Sequence, residues 1–104
     1  MADFVKVADL AEVPPGEITL VDFQGDEVAL ANVNGTIYAF SDTCTHMAGR
    51  LSQGLLEGAI VTCPFHGGQF DVTSGEAVAE PPTEKLTTYR VQVNDGGEIQ
   101  ISAA

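Results

Sequence analysis

The chain has two cysteines and two histidines, and all four lie between residues 44 and 66. They form two pairs, Cys44-Thr45-His46 and Cys63-Pro64-Phe65-His66, which are separated by sixteen residues. A disulfide between the cysteines would leave both histidines without a role, whereas two thiolates and two imidazoles complete a four-ligand metal site. We therefore predict that Cys44, His46, Cys63 and His66 bind metal.

Length and composition indicate one folded domain. A chain of 104 residues can build a single hydrophobic core, and its apolar fraction of 44% is ordinary for a folded protein. No apolar run approaches the roughly 18 residues of a membrane span, and Met1–Lys6 lacks the features of a signal peptide. Cysteines assigned to metal leave none for a disulfide, which fits a reducing compartment. We expect one cytoplasmic domain over residues 1–104, with no membrane contact.

The net charge of −11 comes from fifteen acidic residues against four basic ones. A nucleic-acid-binding protein needs a basic surface to displace counterions, so this class of function is excluded. The acidic surface has two interpretations that sequence does not separate. It keeps the protein soluble, or it steers the protein toward a partner with a basic patch.

The sequence pattern is that of short strands joined by tight turns. Asn34-Gly35 between two apolar runs is the strongest short signal for a β-hairpin. No window of helical length has a sustained period of 3.6 residues. Strands are predicted near Phe4–Val7, Ile18–Phe23, Glu27–Val33, Thr36–Phe40, Ala59–Thr62, Leu86–Val93 (packing through Leu86, Tyr89, Val91 and Val93) and Glu98–Ile101. The pattern predicts an all-β domain of short antiparallel strands, either a sandwich or a barrel.

Two kinds of metal centre use two cysteines and two histidines. A zinc finger usually pairs cysteine with cysteine and histidine with histidine, across a hairpin and a helix. Here each cysteine is followed by a histidine, and no helix is predicted. This pairing is typical of a Rieske [2Fe–2S] centre, in which two histidines replace two cysteines on one iron.

Most of the chain resembles the Rieske ferredoxins, and the resemblance is weakest over the first forty residues. The matching motifs are Cys44-Thr45-His46, Leu51-Ser52-Gln53-Gly54, Cys63–Asp71, Thr73-Ser74-Gly75, Ala79-Glu80-Pro81-Pro82 and Leu86–Val91. The resemblance implies a Rieske-type fold of antiparallel strands in stacked sheets, with the cluster-binding part at one end. That part would comprise about 43–71, and the β-scaffold about 1–42 and 72–104.

The resemblance also implies how the four ligands are shared. Cys44 and Cys63 would bind the inner iron through sulfur, and His46 and His66 would bind the outer iron through Nδ1. Gly67-Gly68 would let main-chain N–H groups approach the cluster sulfurs.

High-potential members of the family direct a serine and a tyrosine hydroxyl at the cluster sulfurs. Gly68 and Phe70 stand at the matching positions of this chain. Because a hydroxyl donated to sulfur stabilises the reduced state, its loss lowers the reduction potential. We therefore expect a potential near the low end of the Rieske range, at roughly −150 mV.

Rieske ferredoxins of this size resemble the ferredoxin component of bacterial multicomponent aromatic-ring-hydroxylating dioxygenases. The resemblance implies a one-electron carrier between an NAD(P)H-dependent flavin ferredoxin reductase and a Rieske non-haem-iron terminal oxygenase. The chain has no dinucleotide-binding loop and no further histidine for a mononuclear iron centre, so we expect a carrier and not an enzyme.

Two alternatives remain open from sequence. One is the Rieske-type small subunit of another oxidoreductase, such as a nitrite reductase. The other is a zinc-stabilised interaction domain, which would be colourless and redox-silent.

The sequence around the ligands also suggests how a partner binds. Between residues 44 and 69 the only charged residues are Arg50 and Glu57. Met47, Leu51 and Phe65 would form an apolar contact patch around the histidines, or would pack locally over the cluster. Arg50 is a partner contact or an ordinary solvated charge.

Overall fold

The computed structural model describes residues 4–42, 50–63, 68–79 and 86–103, which form an all-β fold. The fold class predicted from the sequence is confirmed. The described residues form ten strands, which are β1 (Val5–Asp9), β2 (Ile18–Phe23), β3 (Asp26–Val33), β4 (Thr36–Ser41), β5 (Leu55–Glu57), β6 (Ile60–Thr62), β7 (Gln69–Asp71), β8 (Ala77–Ala79), β9 (Thr88–Val93) and β10 (Glu98–Ala103). Their only helical elements are two 3₁₀ helices, Leu10–Glu12 and Leu51–Gln53.

Six strands form a large antiparallel sheet in the order β1-β10-β9-β4-β3-β2. Its edge strands β1 and β2 contact each other, so the sheet takes a barrel-like form. The predicted hairpin at Asn34-Gly35 joins β3 to β4, and both residues have positive φ, 54° and 94°. Two positive φ values at the centre of a two-residue turn match the right-handed twist of the strands that it connects.

The other four strands form a small antiparallel sheet in the order β5-β6-β7-β8. Each of these strands has three residues. The sheet spans Leu55–Ala79, between the two parts of the chain that build the large sheet. The predicted division of the domain into a scaffold and a cluster-binding part remains a prediction.

Two clusters of buried apolar side chains hold the fold together. The first joins the two sheets and comprises Ala29, Ala31, Phe40, Leu51, Val61, Cys63, Phe70, Val72 and Leu86. The second lies within the large sheet and comprises Ala8, Val13, Phe23, Val28, Leu30, Ile37, Ala39, Ile99 and Ile101. Cys63 thus belongs to the core that joins the sheets.

The predicted strands agree closely with the observed strands of the large sheet and poorly with those of the small sheet. Ile18–Phe23 is β2 without change, whereas the strand predicted from Leu86 begins only at Thr88. Val93 was predicted to pack, but its side chain is 40% exposed. β5, β7 and β8 were not predicted. In the part of the chain that the structure describes, no helix has the length and hydropathy to cross a membrane.

Candidate metal centre

The first predicted ligand pair lies in segment 43–49, and hydrogen bonds join the chain before this segment to the chain after it. Asp42 follows β4, and Leu51 begins the second 3₁₀ helix. The main-chain N–H of Leu51 donates to the carbonyl of Asp42 at 2.7 Å. The N–H of Ser52 donates to Oδ1 of the Asp42 side chain, also at 2.7 Å. These two bonds hold together Asp42, Leu51 and Ser52, which we call the base of segment 43–49.

The second predicted pair begins at Cys63, directly after β6, and continues into segment 64–67. The main-chain N–H of Cys63 donates to the carbonyl of Gly68 at 2.7 Å, just before β7 begins. β6 and β7 pair in register, with Thr62 opposite Gln69. The Nε2 of Gln69 donates to Oγ1 of Thr62 at 3.2 Å. The bond between Cys63 and Gly68 therefore holds together the two residues that flank segment 64–67, and we call them the base of that segment.

The two bases lie side by side because Gly54 has no side chain. A Cβ built on Gly54 would overlap the carbonyl oxygen of Thr62. The next residue, Leu55, pairs with Thr62 between β5 and β6. Leu51 and Cys63, one from each base, pack in the same core cluster. Both segments that contain the predicted ligands therefore leave the described structure from neighbouring positions, the second of them at the end of the central β6–β7 pair of the small sheet.

A main-chain hydrogen bond also holds Leu86, a member of the first core cluster, in place. The N–H of Leu86 donates to the carbonyl of Gly75 at 2.7 Å, and the part of the chain between these two residues includes Pro81-Pro82. Gly75 has a φ of +83°, and a Cβ there would lie 2.7 Å from the carbonyl oxygen of Leu86. A residue with a side chain would therefore be strained at this position and would clash.

Of the four predicted ligands, Cys63 lies in the described part of the structure. Its side chain is 3% exposed and belongs to the core cluster that joins the sheets. A buried cysteine at the end of a strand suits an iron ligand that must be shielded from water. Cys44, His46 and His66 lie outside the described residues, as do Met47, Phe65 and Pro81-Pro82. The ligand set therefore remains a prediction.

The structure describes two of the residues considered as partner contacts, Leu51 and Arg50. Leu51 is fully buried in the core, so the interpretation of its side chain as part of an exposed patch is wrong. Arg50 donates from Nη1 to Oε2 of Glu27 at 2.6 Å, although 44% of its side chain is exposed. Arg50 is thus an ion-paired residue and not an isolated surface charge.

A polar cleft of about 470 Å³ lies beside the end of β4, next to the base of segment 43–49. It is lined by Gly25, Asp26, Glu27, Ser41, Thr87 and Tyr89. Partial burial raises the pKa of the Tyr89 phenol, and the negative charge of Asp26 raises it further. The phenol therefore keeps its proton at neutral pH.

Residues 3–90 match the Rieske [2Fe–2S] domain. The chain belongs to the Rieske family. It is also 41% identical over 98 residues to the ferredoxin component of the naphthalene 1,2-dioxygenase system of Pseudomonas aeruginosa, an alignment that covers 94% of this chain and 93% of the relative. A Rieske domain carries a [2Fe–2S] cluster, so this ferredoxin is an electron carrier and the zinc-stabilised alternative is set aside.

Solved structures agree with this assignment. The ferredoxin of carbazole 1,9a-dioxygenase from Nocardioides aromaticivorans IC177 superposes with a TM-score of 0.91 at 35% identity, covering 97% of this chain and 98% of that one. A ferredoxin chain in a complex of reduced oxygenase and oxidised ferredoxin in carbazole 1,9a-dioxygenase superposes with a TM-score of 0.89 at 37% identity, covering 95% and 92% of the two chains. The likeness therefore extends over nearly the whole of each chain.

Asp42 was not predicted from the sequence as part of the site. This residue is fully buried, and its side chain holds the residues that follow segment 43–49. The signal that was available is a carboxylate two residues before Cys44, directly after the apolar strand that ends in Phe40-Ser41. An acid at the end of a strand normally lies in a solvated turn, so the signal points to burial only once Ser52 is known to be its partner.

Proposed function

We propose that this Rieske ferredoxin carries single electrons from an NAD(P)H-dependent flavin ferredoxin reductase to the terminal Rieske non-haem-iron oxygenase of an aromatic dioxygenase system. The observation that carries the proposal is the 41% identity to a dioxygenase ferredoxin component over almost the full length of both chains. The ferredoxin that superposes at a TM-score of 0.89 was solved together with its oxygenase, which supports the choice of partner. Because the reductase draws on NAD(P)H, the proposal also puts the protein in the cytoplasm.

In this proposal Cys44 and Cys63 hold one iron, and His46 and His66 hold the other. The chemistry of the donor set fits, because the chain has two cysteines and two histidines and a Rieske centre needs two of each. The burial of Cys63 in the core and the adjacent bases of the two segments support it further. When bound, the cluster supplies a reversible one-electron couple.

The residues packed around Cys63 would shield and orient this ligand. Leu51 and Leu86 belong to the same core cluster as Cys63, and this packing would keep water from its sulfur. The hydrogen bond from Cys63 to Gly68 fixes the path of the main chain at the thiolate ligand. With four protein ligands the centre has no open position for a substrate, so the protein transfers electrons without transforming the substrate itself.

The partner contact is proposed at the end of the molecule where segments 43–49 and 64–67 leave the described structure. These segments contain no charged residue, and the nearest charges in sequence are Asp42 and Arg50. A small, weakly charged contact suits a redox encounter that must dissociate after each transfer. Met47 and Phe65 remain the proposed apolar contacts, whereas Leu51 is removed from that set by its burial.

Spectroscopy of ligand variants tests the cofactor part of the proposal. We expect the purified protein to be brown when oxidised and to give a Rieske-type EPR signal after reduction. Cys44→Ser and His66→Ala should each abolish both signatures, because each removes one of the four ligands. A normal spectrum in either variant would contradict the ligand assignment.

Reconstitution of a complete dioxygenase system tests the proposed role as an electron carrier. A dioxygenase assay that contains NADH, a flavin reductase, a Rieske oxygenase and an aromatic substrate should turn over only when this protein is added. The cluster-free Cys44→Ser variant is the matched control and should not support turnover. Purification in fixed stoichiometry with a large catalytic chain, together with no transfer to the oxygenase, would instead identify an integral small subunit.

A further inference from the structure

A fully buried carboxylate lies at the base of segment 43–49. Asp42 is 0% exposed, and its Oδ1 accepts the N–H of Ser52 at 2.7 Å. Its other oxygen, Oδ2, has no hydrogen-bond donor within the described part of the chain. The cation beside Oδ2 is Arg50, whose Nη1 lies 3.7 Å away. A buried carboxylate with incomplete hydrogen bonding weakens a fold, so stability alone does not account for it.

Asp42 is one member of a network that ties the base of the segment to the large sheet. The N–H of Asp42 donates to the carbonyl of Glu27 at 3.1 Å, and its own carbonyl accepts the N–H of Leu51 at 2.7 Å. Arg50 in turn donates to the Glu27 carboxylate at 2.6 Å. Asp42, Arg50 and Glu27, which we call the Asp42 network, therefore hold both residues that flank segment 43–49.

The chain itself limits how far the main chain of Asp42 can lie from that of Cys44. Only two peptide steps separate the two residues, so their Cα atoms are at most about 7 Å apart. A buried charge in such a position acts more strongly on a nearby iron ligand than an exposed one, because water and salt screen it less. The Asp42 side chain is buried, whereas the side chains of Arg50 and Glu27 are 44% and 48% exposed.

We propose that Asp42 is a positioning residue of the iron–sulfur centre whose carboxylate lowers the reduction potential, with Arg50 as the counter-charge that limits this effect. The inference rests on the proposed function in one respect, the assignment of Cys44 as a ligand. Reduction adds an electron to the cluster. A nearby negative charge disfavours that step and lowers the potential, whereas a nearby positive charge favours it and raises the potential.

The test compares two substitutions in this network, each of which removes one charge. Asp42→Asn keeps an acceptor for the Ser52 N–H and removes the negative charge, so the midpoint potential should rise. Arg50→Gln removes the positive charge and leaves Asp42 without its counter-ion, so the potential should fall. A general loosening of the structure would move both potentials in the same direction. Opposite signs are therefore diagnostic of an electrostatic role.

The potentials are measured by redox titration of the purified holoprotein at low ionic strength, with the EPR spectrum of each reduced variant as a check on the cluster. Asp95→Asn is the matched control, because it removes one acidic charge from an exposed turn between β9 and β10. Its potential should equal that of the wild type. Shifts of one sign in Asp42→Asn and Arg50→Gln, or no shift in Asp42→Asn with an intact Rieske signal, would overturn the proposal.

Two further outcomes keep the test decisive. If Asp42→Asn does not retain a cluster, Arg50→Gln alone decides, and a potential that is unchanged or raised in that variant overturns the proposal. The ligand assignment is tested separately by Cys44→Ser. A cluster that survives Cys44→Ser contradicts the ligand assignment in the proposed function, whereas cluster loss in that variant together with an unshifted Asp42→Asn contradicts only the role of Asp42.

Discussion

The main chain of Gly54 lies against the carbonyl oxygen of Thr62 so closely that no side chain fits between them. This contact brings the end of the second 3₁₀ helix next to the strand that leads to Cys63. Because Leu55 also pairs with Thr62, the position of Gly54 sets how the bases of the two ligand-bearing segments meet. A change at Gly54 should therefore affect the metal centre without altering any ligand.

We predict that Gly54→Ala destabilises the protein by about 3 kcal/mol, because a backbone shift must make room for the new methyl group. The same shift should separate the two bases and reduce the amount of cluster per chain. Urea unfolding and the visible absorption of the purified variant measure the two effects. Gly96→Ala is the control, since a Cβ at Gly96 would make an ordinary 3.5 Å contact with Asn94. A stable, fully loaded Gly54→Ala variant would contradict this account.

Leu51 and Leu55 make a second matched pair. Leu51 is fully buried and Leu55 is 59% exposed, although both lie close to the base of the metal centre. Leu51→Ala should lower the free energy of unfolding by about 3 kcal/mol through lost burial and a residual cavity. Leu55→Ala should change it by less than about 0.5 kcal/mol. Unchanged stability in Leu51→Ala, combined with slower electron transfer to the oxygenase, would restore Leu51 as a partner contact.

The sequence predicted the large sheet well because its strands are long enough to show their pattern. β2 and β3 have six and eight residues, and Asn34-Gly35 specifies the β3–β4 hairpin by its backbone conformation. The three-residue strands β5, β7 and β8 are too short for alternation to be visible. They are strands because they pair with neighbouring strands of the sheet, and a short stretch of sequence does not show with which strand it will pair.

The metal centre, too, could be predicted from the sequence only in part. The types and spacing of Cys44, His46, Cys63 and His66 predicted the cofactor class, because few centres combine thiolate and imidazole in alternating order. The burial of Leu51 depends on packing against side chains that are distant in sequence, such as Phe70 and Leu86. A single leucine in an irregular segment carries no periodicity from which burial can be inferred.

Phe70→Tyr tests the expectation of a low reduction potential. This side chain is fully buried in the same core cluster as Cys63, and high-potential family members have a tyrosine at the matching position. Phe70→Tyr should raise the midpoint potential, because a hydroxyl donated to a ligand sulfur stabilises the reduced cluster. Redox titration measures the shift. Phe23→Tyr adds the same hydroxyl to the other core cluster and should leave the potential unchanged. Equal shifts in the two variants would rule out a specific hydrogen bond to the cluster.

The pH dependence of stability should contain a contribution from Glu98. Its carboxylate accepts a hydrogen bond from Nδ2 of Asn94 at 2.8 Å and lies 3.3 Å from the ammonium of Lys6. The Asn94 hydrogen bond, followed by the Lys6 charge, lowers the pKa of Glu98 below its ordinary value of 4.5. The folded state therefore favours the ionised carboxylate, and this contribution is present above pH 4.5 and is lost as the pH falls through the lowered pKa.

Glu98→Gln should consequently be less stable than the wild type at neutral pH, and the difference should shrink as the pH falls well below 4.5. Melting temperatures measured across this range give the difference directly. Asp95→Asn removes an acid from the turn that precedes Glu98 and leaves the Asn94–Glu98 hydrogen bond in place, so it controls for the loss of one charge. A difference between the wild type and Glu98→Gln that stays constant or grows as the pH falls would mean that Glu98 is not stabilised as a carboxylate in the fold. Because Glu98 is exposed and screened by solvent, the whole effect should weaken as salt is added.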